Sequence, residues 1–590
     1  MIKKVENLLI DSINNKFNLK FDGLKITESP KNMFGDFSFN GGILSRDLKK
    51  NPNIILEELK DFILKNNNDL IDDLEVTGAY LNIKLKSDIY TNLFYKYYDE
   101  GIFNKSLEKN NKSIVIDYIG ANVGKPLHIG HMCTPNQGQV LINIYKKLGY
   151  NVISDSHIGD WGIIFGKLIT AFKLWGDFED LEKNAVNYLL ELYVKISNEI
   201  EKENEKGITD LEQRTRDEFK LLSEGNKESI ELWKNFTKYS IESMQFQLDR
   251  LNIKPDFNIG ESFYEGLGLP KLENYPDLKD DMHSVVNELI KKNIATKNED
   301  CSVGVIFDEE LKIPSCILQK RDGTHGYLAS DLAAIKYRMQ NWNPSKIVYF
   351  VDSRQQLHLR QVFLIAKLAG WVDNTELFHA ANGFISLKDG AMSTRKGRII
   401  KLDKLLDEAE ERAKNIILEK RDDIKGDELE KLSKIIGIGA IKYGYLKKNR
   451  ETDVIFDWEE FMSFEGNSGP YIQYAYVRSI NILEKSSFDL NVFSDNKNLG
   501  FELQEEIELV KKLLDYKENL LLTSKLNSPH ILCKYIYELT KIFNIFYNNI
   551  HILNEVDENK KILRLRLVKV FSETLKDSFK MLGIEMPVKM

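Results

Sequence analysis

The spacing of apolar and polar positions divides the chain into three stretches. Residues 1–106 mix segments of helical period, such as 53–65, with a strand-like run at 81–86, which predicts a small, separately folded α+β unit. At Ser113-Ile-Val-Ile-Asp-Tyr118 a short β-branched run meets the glycine-bearing loop 120–130, and helical spacing resumes over 139–148. The same strand, loop and helix order recurs at Lys346-Ile-Val-Tyr-Phe-Val351, the polar stretch 352–357 and the apolar stretch 362–368. Strands alternating with helices predict a parallel α/β sheet over 107–462, with ligands bound beyond the carboxyl ends of its strands. The highly charged helical region 166–250 between the two units reads as a solvated insertion without chemistry of its own. From 463 to 590, Leu, Ile, Tyr and Phe recur at three-to-four spacing with few glycines, which predicts an all-helical bundle.

Composition narrows the function classes. Over 590 residues, 82 Lys+Arg against 90 Asp+Glu give a formal net charge of −8, which excludes a protein that holds nucleic acid by bulk positive charge. Cys133, Cys301, Cys316 and Cys533 form no C-x-x-C pair, so neither a disulfide framework nor a zinc site is expected. A reducing cytoplasm is the expected location. Glu6 and Asp11 interrupt the segment where a secretory apolar region would run, and no stretch approaches the ~20 uninterrupted apolar residues of a membrane span.

Two motifs carry chemistry. The first is Lys125-Pro-Leu-His128-Ile-Gly130-His131, where a strand gives way to a helix. Pro126 keeps its predecessor extended, and a helix opening near Ile129 would present free N–H groups to an anion. Gly130 leaves room for a flat base on the backbone. His128 and His131 can donate to a phosphoryl group as its charge builds, and Lys125 adds a mobile cation. The second is Gly390-Ala-Met392-Ser393-Thr394-Arg395-Lys396-Gly397, a small-residue loop whose Arg395 and Lys396 could close over a triphosphate. Taken singly, the first could be a turn with two surface histidines, and the second is better explained as an exposed basic turn; paired, the two motifs strengthen each other.

These motifs, together with Gly159-Asp-Trp-Gly162, Gly260-Glu-Ser-Phe-Tyr264, Tyr327-Leu-Ala-Ser-Asp331, Phe464-Glu-Gly-Asn-Ser-Gly-Pro-Tyr471 and the ending Leu582-Gly-Ile-Glu-Met-Pro-Val-Lys-Met590, resemble the class I arginyl-tRNA synthetases in order and along essentially the whole chain. The resemblance implies a Rossmann-type catalytic domain over 107–462, an N-terminal domain over 1–106 that touches the tRNA elbow, and a helical anticodon-binding domain over 463–590. It implies that arginine is activated by ATP to arginyl-adenylate and then passed to the terminal adenosine of tRNA(Arg). Mg²⁺ is expected on the ATP phosphates, with no protein ligands for a metal identifiable, and a monomer is the family expectation. By the same resemblance His128 and His131 stabilise phosphate, Gly130 bears the adenine, and Met392 and Ser393 belong to the ATP loop. That loop usually reads K-M-S-K-S; here Ala391 and Thr394 replace its lysines, and Lys125 stands where an upstream lysine substitutes for the second, leaving Arg395 and Lys396 auxiliary.

A guanidinium is planar, permanently charged and rich in donors, so its pocket needs fixed acceptors and a carboxylate. The resemblance gives this role to Tyr327 and Asp331, four apart on one helix face, helped by Asp117, with Asn122 and Gln355 at the amino-acid end and Glu261 as a further candidate. For tRNA it points to Tyr80 and Asn82 at a D-loop base, and to Tyr547 and Met590 near the anticodon. Packed aromatic residues would explain the tyrosines as well. The competing readings are another class I aminoacyl-tRNA synthetase and a non-catalytic tRNA-binding paralogue.

Overall fold

The computed structural model describes residues 2–29, 34–66, 69–100, 110–267, 275–387, 400–486 and 500–590. The chain forms two compact units, one of Met1–Ile102, Ser486–Asp515 and Ile542–Val570, the other of Phe103–Lys485, Tyr516–Lys541 and Phe571–Met590. The first unit therefore takes segments from both ends of the sequence, which hydrophobic period cannot reveal.

In the first unit an antiparallel sheet pairs Thr27–Glu28, Phe37–Asn40, Tyr80–Leu85 and Ile71–Thr77 in that spatial order. Helix Pro52–Lys65 packs on it through Ile55, Leu56, Leu59 and Ile63, an i, i+1, i+4, i+8 stripe, and Asn51 caps that helix by accepting from the Asn53 N–H. Across the helical part of this unit, Arg564 pairs with Glu506 at 2.7 Å and Phe94 meets Phe501 edge to face.

The second unit is built on four parallel strands, β1 (Ser113–Asp117), β2 (Asn151–Asp155), β3 (Lys346–Tyr349) and β4 (Glu376–His379). Their order is β4-β3-β1-β2. The chain thus turns to opposite sides of β1, which opens a crevice between β1 and β3 at their carboxyl ends. Almost every residue of β1 is buried, because helices cover both faces and a continuous apolar run replaces alternation. Four helices matter to the site: α1 (Thr134–Lys147), α2 (Phe178–Glu205), α3 (Tyr327–Trp342) and α4 (Gln356–Leu368). Leu328, Leu332 and Ile335 of α3 and Val362 and Ile365 of α4 join Val115, Ile347 and Tyr349 of the strands in one core. The predicted α/β architecture, with a helical insertion over Phe178–Arg250 and an all-helical C-terminal region, is what the chain adopts. The insertion is not inert, since α2 reaches the site.

Register fixes the floor of the crevice. Tyr349, Asp117 and Asp155 stand in one row at the carboxyl ends of β3, β1 and β2. Two adjacent buried carboxylates demand a cation, and Arg338 of α3 supplies it: its Nη2 donates to Asp117 at 2.8 Å and to Asp155 at 2.6 Å. Burial raises Asp155 even so, with Arg338 opposing it and Asp117 adding to it.

Candidate active site

From β1 the chain enters the loop ending at His128. Pro126 and the extended backbone of His128 deliver it to one tight turn, Ile129–Met132, before α1 starts at Thr134 with Pro135 in its first turn. The turn closes on itself: the Gly130 N–H donates to His128 Nδ1, and the His128 N–H donates to His131 Nδ1, both at 3.0 Å. Each Nδ1 accepts, so each neutral ring carries its proton on Nε2 and has one donor left to offer. Burial pushes both imidazoles below the ordinary histidine range, His131 to about 3, which keeps them neutral at physiological pH.

The turn differs from expectation in one respect. The amides of Ile129, His131 and Cys133 donate to the carbonyls of Ile400, His128 and Gly130, so together with that of Gly130 these backbone donors are already taken. The Nε2–H groups, rather than free backbone amides, remain for an anion. A side chain at 130 would come within 2.8 Å of the His128 ring, which is why this position is glycine.

Beyond the turn lies a cleft of about 840 Å³, lined by Asn122, His128, Gly130, His131, Asp352 and Gln355 among others. Asn122 and Gln355 thus reach the same cleft from the loops after β1 and β3. Ile385 and Ser386 also line it, and on the far side of the undescribed 388–399 the chain returns to this turn: Lys401 bridges His128, and the Leu402 N–H donates to the Leu127 carbonyl at 3.0 Å. Met392, Ser393, Arg395 and Lys396 lie outside the described residues. Lys125 is exposed, with its ammonium 5.6 Å from the Tyr193 ring of α2, and Lys167 approaches the same ring at 5.5 Å.

Tyr327, Asp331 and Glu261 do not line that cleft; they gather beside it. The Asn122 side chain lies against Gly159, whose neighbours Asp160 and Gly162 face the carboxylate group and the Tyr327 hydroxyl respectively. Asp160 is buried and accepts from the Ser262 N–H at 2.8 Å and hydroxyl at 2.6 Å; burial still carries it up to about 6. Burial, then the charges of Asp160 and Asp331, push Glu261 well above the usual carboxylate range. Burial, then Glu261, raise the Tyr327 phenol. Asp331 goes the other way: burial opposes ionisation, but the bond from His358 and the neighbouring imidazoles and Arg338 outweigh it. Among the described residues no lysine or arginine forms an ion pair with Asp160, Glu261 or Asp331. Three converging carboxylates with an exposed phenol beside them have the chemistry to receive an external cation.

Asp117 is buried, and its Oδ2 accepts from Arg338 Nη2 at 2.8 Å, so it balances charge within the floor. In the first unit Tyr80 is 47% exposed, whereas Asn82 is 1% exposed, accepts from Ser38 and donates to Thr77, so its amide is committed inside the sheet. Tyr547 is partly exposed and stacks on Phe543 in the first unit. Met590, in the second, packs on the cluster of Ala413, Ile417 and Ile436, and its carbonyl accepts from Arg421.

Sequence reasoning missed Asp155, Asp160, His157, Tyr193, Arg338 and His358. Two left a usable signal. Asp160 sits inside the quoted Gly159–Gly162 motif, and Arg338 follows Asp331 by seven, two helical turns on the same face.

Residues 3–85 match the family described as arginyl tRNA synthetase N terminal domain, 99–458 the class I (R) tRNA synthetase catalytic domain, and 472–590 the DALR anticodon binding domain. An arginine--tRNA ligase of Fusobacterium nucleatum is 36% identical over all of this chain and 98% of its own length, and one of Clostridium botulinum is 36% identical over 99% of this chain and 100% of its own. Among solved structures, arginyl-tRNA synthetases of Plasmodium falciparum (TM-score 0.79, 24% identity, 100% of this chain and 99% of that one) and Thermus thermophilus (TM-score 0.78, 21% identity, all of both chains) share the fold. With full-length relatives above one-third identity and a catalytic-domain match over more than half its residues, the chain belongs to the class I arginyl-tRNA synthetases.

Proposed function

We propose that the protein ligates L-arginine to tRNA(Arg) in two steps, at this cleft and the carboxylate group beside it. ATP lies along the turn at 128–131, with its adenine against Gly130 and its phosphates toward the Nε2–H groups of His128 and His131. Arginine lies beside it with its guanidinium among Tyr327, Asp331 and Glu261 and its amino-acid end toward Asn122 and Gln355. The arginine carboxylate oxygen attacks the α-phosphorus, and the bond to the bridging oxygen breaks so that pyrophosphate leaves with the electron pair. The terminal 2′-hydroxyl of the tRNA then attacks the arginyl carbonyl, loses its proton and releases AMP. No side chain has to become a nucleophile; the chain contributes position and electrostatic stabilisation.

Neutral imidazoles suit this work, since an N–H donor stabilises charge as it develops without binding the ground state as tightly as a cation would. Lys125, freed from the Tyr193 ring, supplies the mobile positive charge, assisted by Arg395 and Lys396. The cleft's carboxylate, Asp352, already accepts from the Arg354 N–H and Nε at 2.9 Å and from Nη2 at 2.8 Å. It is no free ligand, so Mg²⁺ enters as the counter-ion of ATP and part of the substrate. Tyr80, Tyr547 and the Met590 region carry the tRNA contacts, Asn82 supporting Tyr80 from within the sheet. The protein works in the cytoplasm as a monomer.

The observation that carries this reading is a carboxylate cluster with which no described lysine or arginine forms an ion pair, next to a cleft bearing two neutral imidazole donors. Pyrophosphate exchange into ATP, run with each amino acid with and without tRNA, tests it. Arginine-only exchange is expected, dependent on tRNA. Exchange with another amino acid, or none at all, would refute it.

A further inference from the structure

Asp331 is held by a ring that takes no part in the chemistry above. His358 Nε2 lies 2.5 Å from Asp331 Oδ2. An ionised carboxylate can only accept, so that nitrogen carries a proton and donates. The other oxygen, Oδ1, faces His157 Nε2 at 3.8 Å, beyond hydrogen-bond length, while the same His157 nitrogen lies 3.4 Å from the Ser330 hydroxyl. One oxygen of Asp331 is therefore fixed from behind and the other is bounded but left open.

The two partners come from different crossovers, Asp331 from α3 and His358 from α4. His358 is three residues after Gln355, which lines the cleft at the amino-acid end. One bond thus ties the acceptor for one end of arginine to the segment that meets its other end, a span the substrate itself must match. Neither side chain is core filling: 18% of Asp331 and 25% of His358 is exposed. Left without this bond, Asp331 would have free rotation about its side chain and would share a low-dielectric neighbourhood with Asp160 and Glu261, both of which burial drives toward the neutral acid.

We infer that His358 is the positioning residue of the arginine site: by donating Nε2–H to Oδ2 it holds the Asp331 carboxylate in one orientation, with Oδ1 presented to the substrate guanidinium. This rests on the placement of arginine against Asp331 proposed above. A ring that merely secured the start of α4 would affect folding and both substrates alike; a positioning residue affects arginine alone.

The test measures KM and kcat for arginine and for ATP by tRNA-dependent pyrophosphate exchange, with melting temperature in parallel, on full-length His358→Ala, His358→Gln and Asp331→Asn. Loss of one charge-assisted bond predicts that His358→Ala raises the arginine KM about tenfold or more and leaves the ATP KM within about twofold. Glutamine can donate from nearly the same place, so His358→Gln should recover most of the loss. An unchanged arginine KM in His358→Ala, with Asp331→Asn impaired, overturns the role of His358. So does a glutamine variant that melts normally yet is as impaired as alanine, or an alanine variant in which both KM values rise together. If Asp331→Asn leaves the arginine KM untouched, the placement of arginine on Asp331 fails first.

Discussion

Lowering the pH should cost this enzyme its arginine before its ATP. In the proposed arginine site and the buried carboxylate beside it, Glu261 lies well above the ordinary carboxylate range and Asp160 at about 6, each because burial disfavours its charge. A bound guanidinium favours the ionised forms, so both groups titrate lower in the complex than in the free site, and binding releases protons. The sign follows: affinity is full above the free-site values and falls as the pH drops through them, by up to tenfold per pH unit for each group that titrates. Asp160 alone predicts an arginine KM about tenfold higher at pH 5 than at pH 7.5, and Glu261 adds a loss that begins at higher pH. ATP should behave differently. Burial keeps His131 at about 3, so it stays a neutral Nε2–H donor across this interval, and burial moves His128 in the same direction. The assay is pyrophosphate exchange from pH 5 to 8 with arginine and ATP varied separately, the reference arm being Glu261→Gln, which should flatten the higher-pH limb. A flat arginine KM over that range, or an ATP KM that follows it, would refute the electrostatic reasoning.

Other consequences are smaller in scope. Arg338→Met leaves Asp117 and Asp155 facing each other without a counter-ion and should destabilise the fold by about 3–5 kcal/mol in urea unfolding; a loss under 1 kcal/mol would mean that the pair is protonated or hydrated. Gly130→Ala forces the His128 ring from its place, so the ATP KM should rise at least tenfold with the arginine KM little changed, read from initial rates. Lys125→Ala should lower kcat for exchange by about a hundredfold or more with small changes in either KM, as expected of a cation that acts as charge develops; an unaltered kcat would transfer that role to the 390–397 loop.

Much of this site was legible as composition and order along the chain, and the parts that were not share a physical reason. The strand run Ser113–Tyr118 and the polar stretch after Val351 announced a crevice between two parallel strands, because a strand covered on both faces has to be continuously apolar. The proline, glycine and paired histidines marked the turn. Yet the sequence suggested free backbone donors there, and the fold spends them on the Nδ1 atoms of His128 and His131 and on nearby carbonyls. The bond from Arg338 to Asp117 depends on register between β1, β2 and β3 and on a side chain 221 residues later, which no local pattern encodes. His358 and Tyr193 were hidden for the same reason, each meaningful only through a partner from another crossover. Asn82 shows the converse: two residues from Tyr80 and so on the same side of the strand, its amide is spent on Ser38 and Thr77, partners that the aromatic-x-amide spacing does not encode.

The most direct test is a crystal structure with a non-hydrolysable arginyl-adenylate analogue. Its adenine should lie on Gly130, its phosphate mimic within hydrogen-bond reach of the Nε2 atoms of His128 and His131, and its guanidinium against Asp331 Oδ1 and Tyr327. An analogue whose guanidinium sits elsewhere, or whose adenosine leaves the turn at 128–131 empty, would contradict the account.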